Sequence, residues 1–397
     1  MDKEPDLNSA VDKMYYAKSM RAKAIIIVVM IFVIFFGLSS CAQQQDMSNT
    51  SHEVVTANAS RINWAIASQN TLAGNISHKS IPMTIPEGWG AIDAAGNANG
   101  GIFYVSCKSV PMGQSASKTE IRQYDPNKGS ADMIFSFDER NTNHWVNEFV
   151  ASDTALFWVY KDGVDQRIER YDLRTSTVST VKTVPVDSVI LLTGSGNYVT
   201  WFEGKGDGIT PDTLYALDVT ANTISVVSED ASPSQLRAYV SGNITSYVSD
   251  SIKHQIVVYD LQNKKAISTI SHETTALIDN PNANSNYLLW EERESVDSSA
   301  VKYLLYDRRE NKLYDAALNS ISENIFSTHL MNDSIIINTT GINGSSLLSA
   351  DLENDAVTTI LTADDFLSWC YVINGKSFLS IKGKDSIEWI YLSTDAH

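Results

Sequence analysis

Cysteine is almost missing from this 397-residue chain: Cys41, Cys107 and Cys370 are its only three. No C-x-x-C pair occurs, and thiols so scattered exclude a disulfide scaffold and a cysteine-based zinc site. The seven histidines stand singly with no i, i+4 pair, so no His-Glu-x-x-His metal helix exists. A nucleophile elbow is lacking, because Gly194-Ser195-Gly196 does not have the Gly-x-Ser-x-Gly spacing. The glycines of Gly204-Lys205-Gly206-Asp207-Gly208 suit a phosphate, but no helix start follows them. No motif therefore calls for a cofactor or metal, and none assigns a reaction. Bases are scarce as well, 30 against 47 acids for a net charge of −17. That excludes nucleic acid, whose binding draws on cations that displace counterions from phosphates, and it fits a solvated, self-repelling surface.

One apolar run is present. Residues 24–38 carry no charge, Lys13, Lys18, Arg21 and Lys23 precede them, and the next cation is Arg61. Cations on the near side hold that end in the cytoplasm, so the remainder is expected outside it. The run closes on Leu38-Ser39-Ser40-Cys41, which resembles the lipobox of bacterial lipoproteins. The resemblance implies cleavage before Cys41 and a lipid on its sulfur, each buried methylene contributing about 0.8 kcal/mol to anchoring. The alternative is an uncleaved single-pass anchor, since the uncharged stretch through Ala42 reaches 19 residues. Residues 1–41 are thus read as signal peptide or hydrophobic anchor helix. Residues 42–77 read as a polar spacer, in which Val54, Val55, Ile62, Trp64 and Ile66 suit a short docking helix. Residues 78–397 read as one folded domain.

That domain repeats. Strand-like runs end at Asp125, Asp172, Asp218, Asp260, Asp307 and Asp351, with gaps of 47, 46, 42, 47 and 44 residues. A period of 40 to 50 built from short strands predicts a β-propeller, whose units bury their faces only against neighbours. Tyr104, Trp158, Trp201, Tyr247 and Trp290 mark the preceding strand and are expected in the inter-blade core. Asn99-Gly100, Gly196-Asn197, Gly242-Asn243, Asn332-Asp333 and Asn374-Gly375 mark tight turns, because these residues tolerate positive φ. The aspartates are expected to brace the following turn by accepting backbone N–H groups. Units fall at about 88–139, 143–185, 187–230, 234–272, 275–320 and 324–363, and a last one begins near Phe366. The last lacks a fourth strand, which Ser80–Ile85 would supply, giving an all-β, seven-bladed propeller closed by an N-terminal strand. Six or eight blades would follow from a different division of the first or last unit.

The pattern of a Trp strand, a loop and an apolar-Tyr-Asp-Leu turn resembles the TolB-like propeller repeats of bacterial and archaeal envelope proteins. Val199-Thr200-Trp201-Phe202-Glu203 followed by Thr213-Leu214-Tyr215-Ala216-Leu217-Asp218 is the stretch most similar. The resemblance implies fold and compartment, not a particular partner. Leu214 to Asp218 also looks like a pyrroloquinoline-quinone-type repeat, but Thr220 to Val227 lacks its Gly and Trp.

Innermost strands line a propeller's channel, and Asp93, Glu148, Arg237, Asp279 and His329 fall on them, with Tyr371 from the last unit. Mixed charge there suits a small polar ligand; a solvated lining is the alternative. The chain is thus read as a membrane-tethered, extracytoplasmic binding or scaffolding module whose partner is an envelope protein or glycan. The alternatives are a carbohydrate-active enzyme using acids such as Glu203, Glu291 and Glu292, and a ligand sensor spanning the membrane once. Cys107 and Cys370 would lie on neighbouring blades of a closed ring, either bonded or as two buried thiols.

Overall fold

The structure is a computed structural model describing residues 51–55, 59–66, 77–83 and, apart from some loop positions, 87–393. For Ser51–Val55, Ser77–Met83, Leu367–Ile373, Lys376–Lys382 and Ile387–Ser393 the backbone and its pairing are described. The apolar run 24–38, Cys41 and the Asn374-Gly375 turn lie outside the described residues.

The turns show why the chain folds as repeats. Asp172 Oδ1 accepts the backbone N–H of Arg174 at 3.0 Å and of Thr175 at 2.9 Å. Asp125, Asp260, Asp307 and Asp351 make the same pair of bonds, and Asp218 accepts from Ala221. Four residues after each aspartate the chain enters the left-handed region, at Gly129, Ser176, Asn222, Lys264, Asn311 and Asp355. Each carboxylate thus satisfies donors that a sharp reversal leaves over. Asn197 and Asn243 then join the two turns of a blade, donating to Asp218 at 2.8 Å and Asp260 at 2.9 Å.

Between the turns, aromatic and β-branched residues form antiparallel strands. An N-terminal segment contains β1 (Ser51–Val55), β2 (Ser60–Arg61), β3 (Ala65–Ile66) and β4 (Ser77–Met83). The first blade is β5 (Trp89–Gly96), β6 (Ile102–Lys108), β7 (Thr119–Asp125) and β8 (Ser130–Ser136). The second is β9 (Trp145–Ala151), β10 (Ala155–Lys161), β11 (Gln166–Asp172) and β12 (Thr177–Val184). The third is β13 (Thr193–Ser195), β14 (Tyr198–Glu203), β15 (Asp212–Asp218) and β16 (Thr223–Ala231). The fourth is β17 (Val240–Ser241), β18 (Ile244–Val248), β19 (Gln255–Asp260) and β20 (Lys265–His272). The fifth is β21 (Leu277–Ala283), β22 (Tyr287–Arg293), β23 (Val301–Asp307) and β24 (Lys312–Asp315). The sixth is β25 (Ile325–Met331), β26 (Ser334–Gly341), β27 (Gly344–Asp351) and β28 (Ala356–Ala363). Blades drawn from one stretch of chain therefore number six, not seven. A further sheet is composite: β29 (Leu367–Ile373), β30 (Lys376–Lys382) and β31 (Ile387–Ser393), with β4 as its outer strand. There Trp389 lies opposite Ile81, and Pro82, which has no N–H to donate, sits on the outer edge. Among the described residues no α-helix occurs, only a 3-10 turn at Leu318–Ser320.

Apolar clusters lie between successive blades rather than inside any one. Phe103, Val105 and Ile121 of the first blade meet Phe149, Leu156 and Trp158 of the second, and four similar clusters join blades two through six. Trp158, Trp201, Tyr247 and Trp290 are buried in these clusters, in the core position expected of them, and Tyr104 is buried outside them.

The segment read as a spacer with a docking helix departs from expectation. Its described strands lie along the rim in parallel, β1 on β20, β2 on β24 and β3 on β28. Ile62 is buried in the cluster between the fifth and sixth blades, and Trp64 Nε1 donates to Ala316 O at 2.6 Å. The physical reason is that each outer strand presents a row of unpaired backbone groups. An extended segment satisfies these with its own backbone, which a helix cannot do.

Candidate functional site

The innermost strands are irregular where the predicted channel residues sit. In β5 the pairing passes from Ala91 opposite Ser106 to Asp93 opposite Val105, leaving Ile92 over. In β9, Glu148 and Phe149 together oppose Trp158, and Glu148 takes a φ of 57°. In β21, Asn280 and Pro281 oppose Trp290, and Asn280 has a φ of 47°. A bulge turns a side chain out of the regular alternation and frees a backbone N–H. Here neighbouring blades supply the partner. Asp93 Oδ2 accepts the freed N–H of Phe149 at 2.9 Å, and its Oδ1 accepts the N–H of Ala94 at 2.7 Å. Glu148 accepts the N–H of Leu192 on the third blade. Arg237, just before β17, sets Nη1 2.8 Å from Glu148 Oε2 and donates to Leu192 O at 2.9 Å.

Four of the predicted residues thus form one electrostatic group drawn from four blades: Asp93, Glu148, Arg237 and His329. Burial is the main reason Asp93 is pushed up to about 7, with Glu148 adding to it and the two N–H groups and Arg237 opposing. Glu148 also lies above its ordinary value through burial, against the pull of Arg237. His329 is buried and pushed down to about 4, by burial first and by Arg237 second. Its imidazole is therefore neutral at pH 7. Asp93, Glu148 and Arg237 keep partial exposure. Near neutral pH the group holds the Arg237 guanidinium, the neutral imidazole of His329, the Glu148 carboxyl bound to Arg237, and in Asp93 a carboxyl that exchanges its proton. Such a set both accepts and donates hydrogen bonds.

Asp279 stands apart from this group. It lies opposite Glu291 on β22, beside Arg293, and is pushed up to about 6 by burial and by the Glu291 charge, against the Asn280 N–H and Arg293. Tyr371 lies on β29, where the backbone alone is described. Sequence reading missed Tyr239, whose ring meets His329 edge-on at 5.1 Å between centroids. Its spacing of two from Arg237 carried the signal, because alternate residues of an extended chain share a face. The Leu192 peptide, the pivot between Glu148 and Arg237, carried no signal, since any residue supplies one.

The acids proposed for glycan chemistry do not converge. Glu291 pairs with Arg293 at 2.7 Å, while Glu292, on the opposite face of the strand, meets His272 Nδ1 at 2.5 Å and accepts from Trp290 Nε1 at 3.2 Å. Glu203 accepts from Trp201 Nε1 at 2.7 Å and pairs with Lys182 at 2.7 Å. Glu292 and Glu203 thus satisfy buried indole N–H groups and join neighbouring blades, while Glu291 is held by Arg293 on its own strand. Cys107 is half-buried on β6, and the side chain of Cys370 lies outside the described residues. A cavity of about 340 Å³ lies off the axis in the first blade, lined by Asn99, Gln123, Tyr124, Asp125 and Lys128 among others.

No protein-family model matches the chain. No curated protein matches it either. Solved structures do. The β-propeller domain of the Trilobed protease from Pyrococcus furiosus is similar at a TM-score of 0.54 and 9% identity, over 78% of this chain and 94% of that one. An acylaminoacyl peptidase is similar at 0.53 and 11%, over 76% of this chain and 51% of its own, so this chain spans about half its length. TolB from Acinetobacter baumannii is similar at 0.40 and 13%, over 63% of this chain and 61% of that one. At such identities the likeness shows a β-propeller fold and nothing finer.

Proposed function

We propose that this protein is a binding module of the cell envelope, a propeller held outside the cytoplasm on an N-terminal anchor and taking a small polar ligand at its axis. The composite sheet serves as the seventh member of the ring. One observation carries the ligand site: Asp93, Glu148, Arg237 and His329, remote in sequence, are gathered from four blades into a single partly exposed group. Acceptors outnumber the single cation, so the ligand offers hydroxyl or ammonium groups. The address rests on the cations ahead of residues 24–38 and on Leu38-Ser39-Ser40-Cys41. Intact mass spectrometry of the chain extracted from membranes tests that address. A mass starting at a diacylated Cys41 is expected, while a mass starting at Met1 means an uncleaved anchor and favours a sensor. For the site, crosslinking in intact cells is expected to recover an envelope protein or glycan with the parent chain and less of it with Arg237→Met; equal recovery removes the axis from the account.

A second reading rests on the Asp279–Glu291 pair, in which one carboxyl titrates near 6 beside another, an arrangement suited to proton transfer. Turnover across a panel of polysaccharides, lost in Asp279→Asn, would establish a carbohydrate-active enzyme. No turnover by the parent chain ends that reading.

A further inference from the structure

The outermost strands form the rim, and the N-terminal segment closes three of them, β20, β24 and β28. Among the described residues β8, β12 and the Thr223–Ser228 part of β16 pair with nothing beyond their own blade, while the far end of β16 is bridged to the fourth blade through Ala231 and Ser249. Natural sheets guard such edges with charge, proline or a covering segment. The three are guarded unequally. β8 holds Asp132 in mid-strand with its side chain 75% exposed, and β12 holds Lys182. The edge of β16 has neither charge nor proline from Thr223 to Ser228. Instead Ile224 and Val226, on one face of the strand, are 39% and 43% exposed. The flat part of this edge ends at Val226, because Val227 is the extra residue of a bulge and is buried between the third and fourth blades.

We propose that the β16 edge is a self-association surface, Ile224–Val226 pairing antiparallel with the same segment of a second copy across a two-fold axis at Ser225. Geometry selects this register. A two-fold normal to a sheet keeps each face on its own side, so it must pass through a residue rather than between two. With Ser225 on the axis, Ile224 of each copy lies opposite Val226 of the other. Both exposed apolar residues are matched and none is left over. The nearest acids, Glu229 and Asp230, fall beyond the paired stretch at opposite ends, so like charges do not face each other. This self-complementarity selects a second copy over a foreign strand, whose residues would need to match the edge independently.

The test uses the full chain in mild detergent at about 0.15 M salt, where charges more than about 8 Å apart are screened. Light scattering corrected for the micelle is expected to give a mass that rises to twice the single-chain value with concentration. Val226→Lys is expected to hold the mass at one copy, while Met133→Lys on β8 leaves dimerisation unchanged. Mild oxidation of Ser225→Cys is expected to yield a disulfide joining residue 225 of two copies, located by peptide mass mapping. A single-copy mass at every concentration overturns the proposal. So does a dimer indifferent to Val226→Lys, or one in which position 225 never crosslinks to itself.

Discussion

Single residues carry two separable costs in this protein, backbone strain at the turns and ionisation at the axis. Of six equivalent left-handed turn positions, five hold a residue with a Cβ and one holds Gly129. Nothing lies within 4 Å of a Cβ built on Gly129, so conformation alone decides the effect of a substitution. Left-handed geometry costs an L-residue about 1–2 kcal/mol, and glycine gives back about 0.5–1 kcal/mol in unfolded-state entropy. Chemical denaturation is therefore expected to show Gly129→Ala losing about 1 kcal/mol and Lys264→Gly gaining a little under that amount. Asp260→Ala strips the acceptor from two turn N–H groups and from Asn243 and Asn263, and is expected to cost about 1–2 kcal/mol.

At the axis the two shifted groups act in opposite directions. Asp93 is neutral in the fold up to about 7 but ionises near 3.8 when unfolded, so its contribution declines as pH rises across that window. His329 stays neutral down to about 4 against 6.5 unfolded, so its contribution is complete above 6.5 and declines as pH falls. The parent chain hides both between pH 4 and 6.5. Denaturation at a series of pH values is expected to separate them: Asp93→Asn gains on the parent as pH rises from 4 to 7, and His329→Gln gains on it as pH falls from 6.5 to 4.

At the scale of the element, strands β1 to β3 show that an outer edge takes whatever extended chain is available. They are short, and side-chain burial adds to their few backbone pairs. Trp64→Ala removes a half-buried ring and its bond to Ala316 O, for an expected loss of about 2 kcal/mol, below the 3–5 kcal/mol of a fully buried tryptophan. Deleting residues 1–70 leaves β4 in place but uncovers β20, β24 and β28. Hydrogen exchange is expected to quicken in those three outer strands and to stay unchanged in β12 and β16, with which no described residue of the segment pairs.

For the whole molecule, the load falls on contacts between blades, because the clusters that bury Trp158, Trp201 and Trp290 each join two successive sheets. A sheet that loses its outer strand exposes an edge and weakens its neighbours. Deleting residues 1–83 removes β4 and leaves the outer edge of β31 unpaired, whereas deleting 1–76 keeps it covered. Calorimetry is expected to show a single sharp transition for the longer chain and a broader one at lower temperature for the shorter.

The sequence alone determined what depends on neighbours along the chain. Turn-bracing aspartates, tight-turn glycines and asparagines and buried Trp strands all repeat at similar intervals, and a period survives without coordinates. Tertiary structure decided whatever depends on which surfaces meet. Glu148 and Arg237 are 89 residues apart in sequence, and their pairing needed a bulge that alternation does not reveal. Glu291 and Glu292 look like a couple in the sequence, yet the strand sends them to opposite faces. The stretch that holds β1, β2 and β3 reads as polar spacer because so few of its residues are apolar; these strands lie on the rim because unpaired sheet edges there outweigh weak local preference.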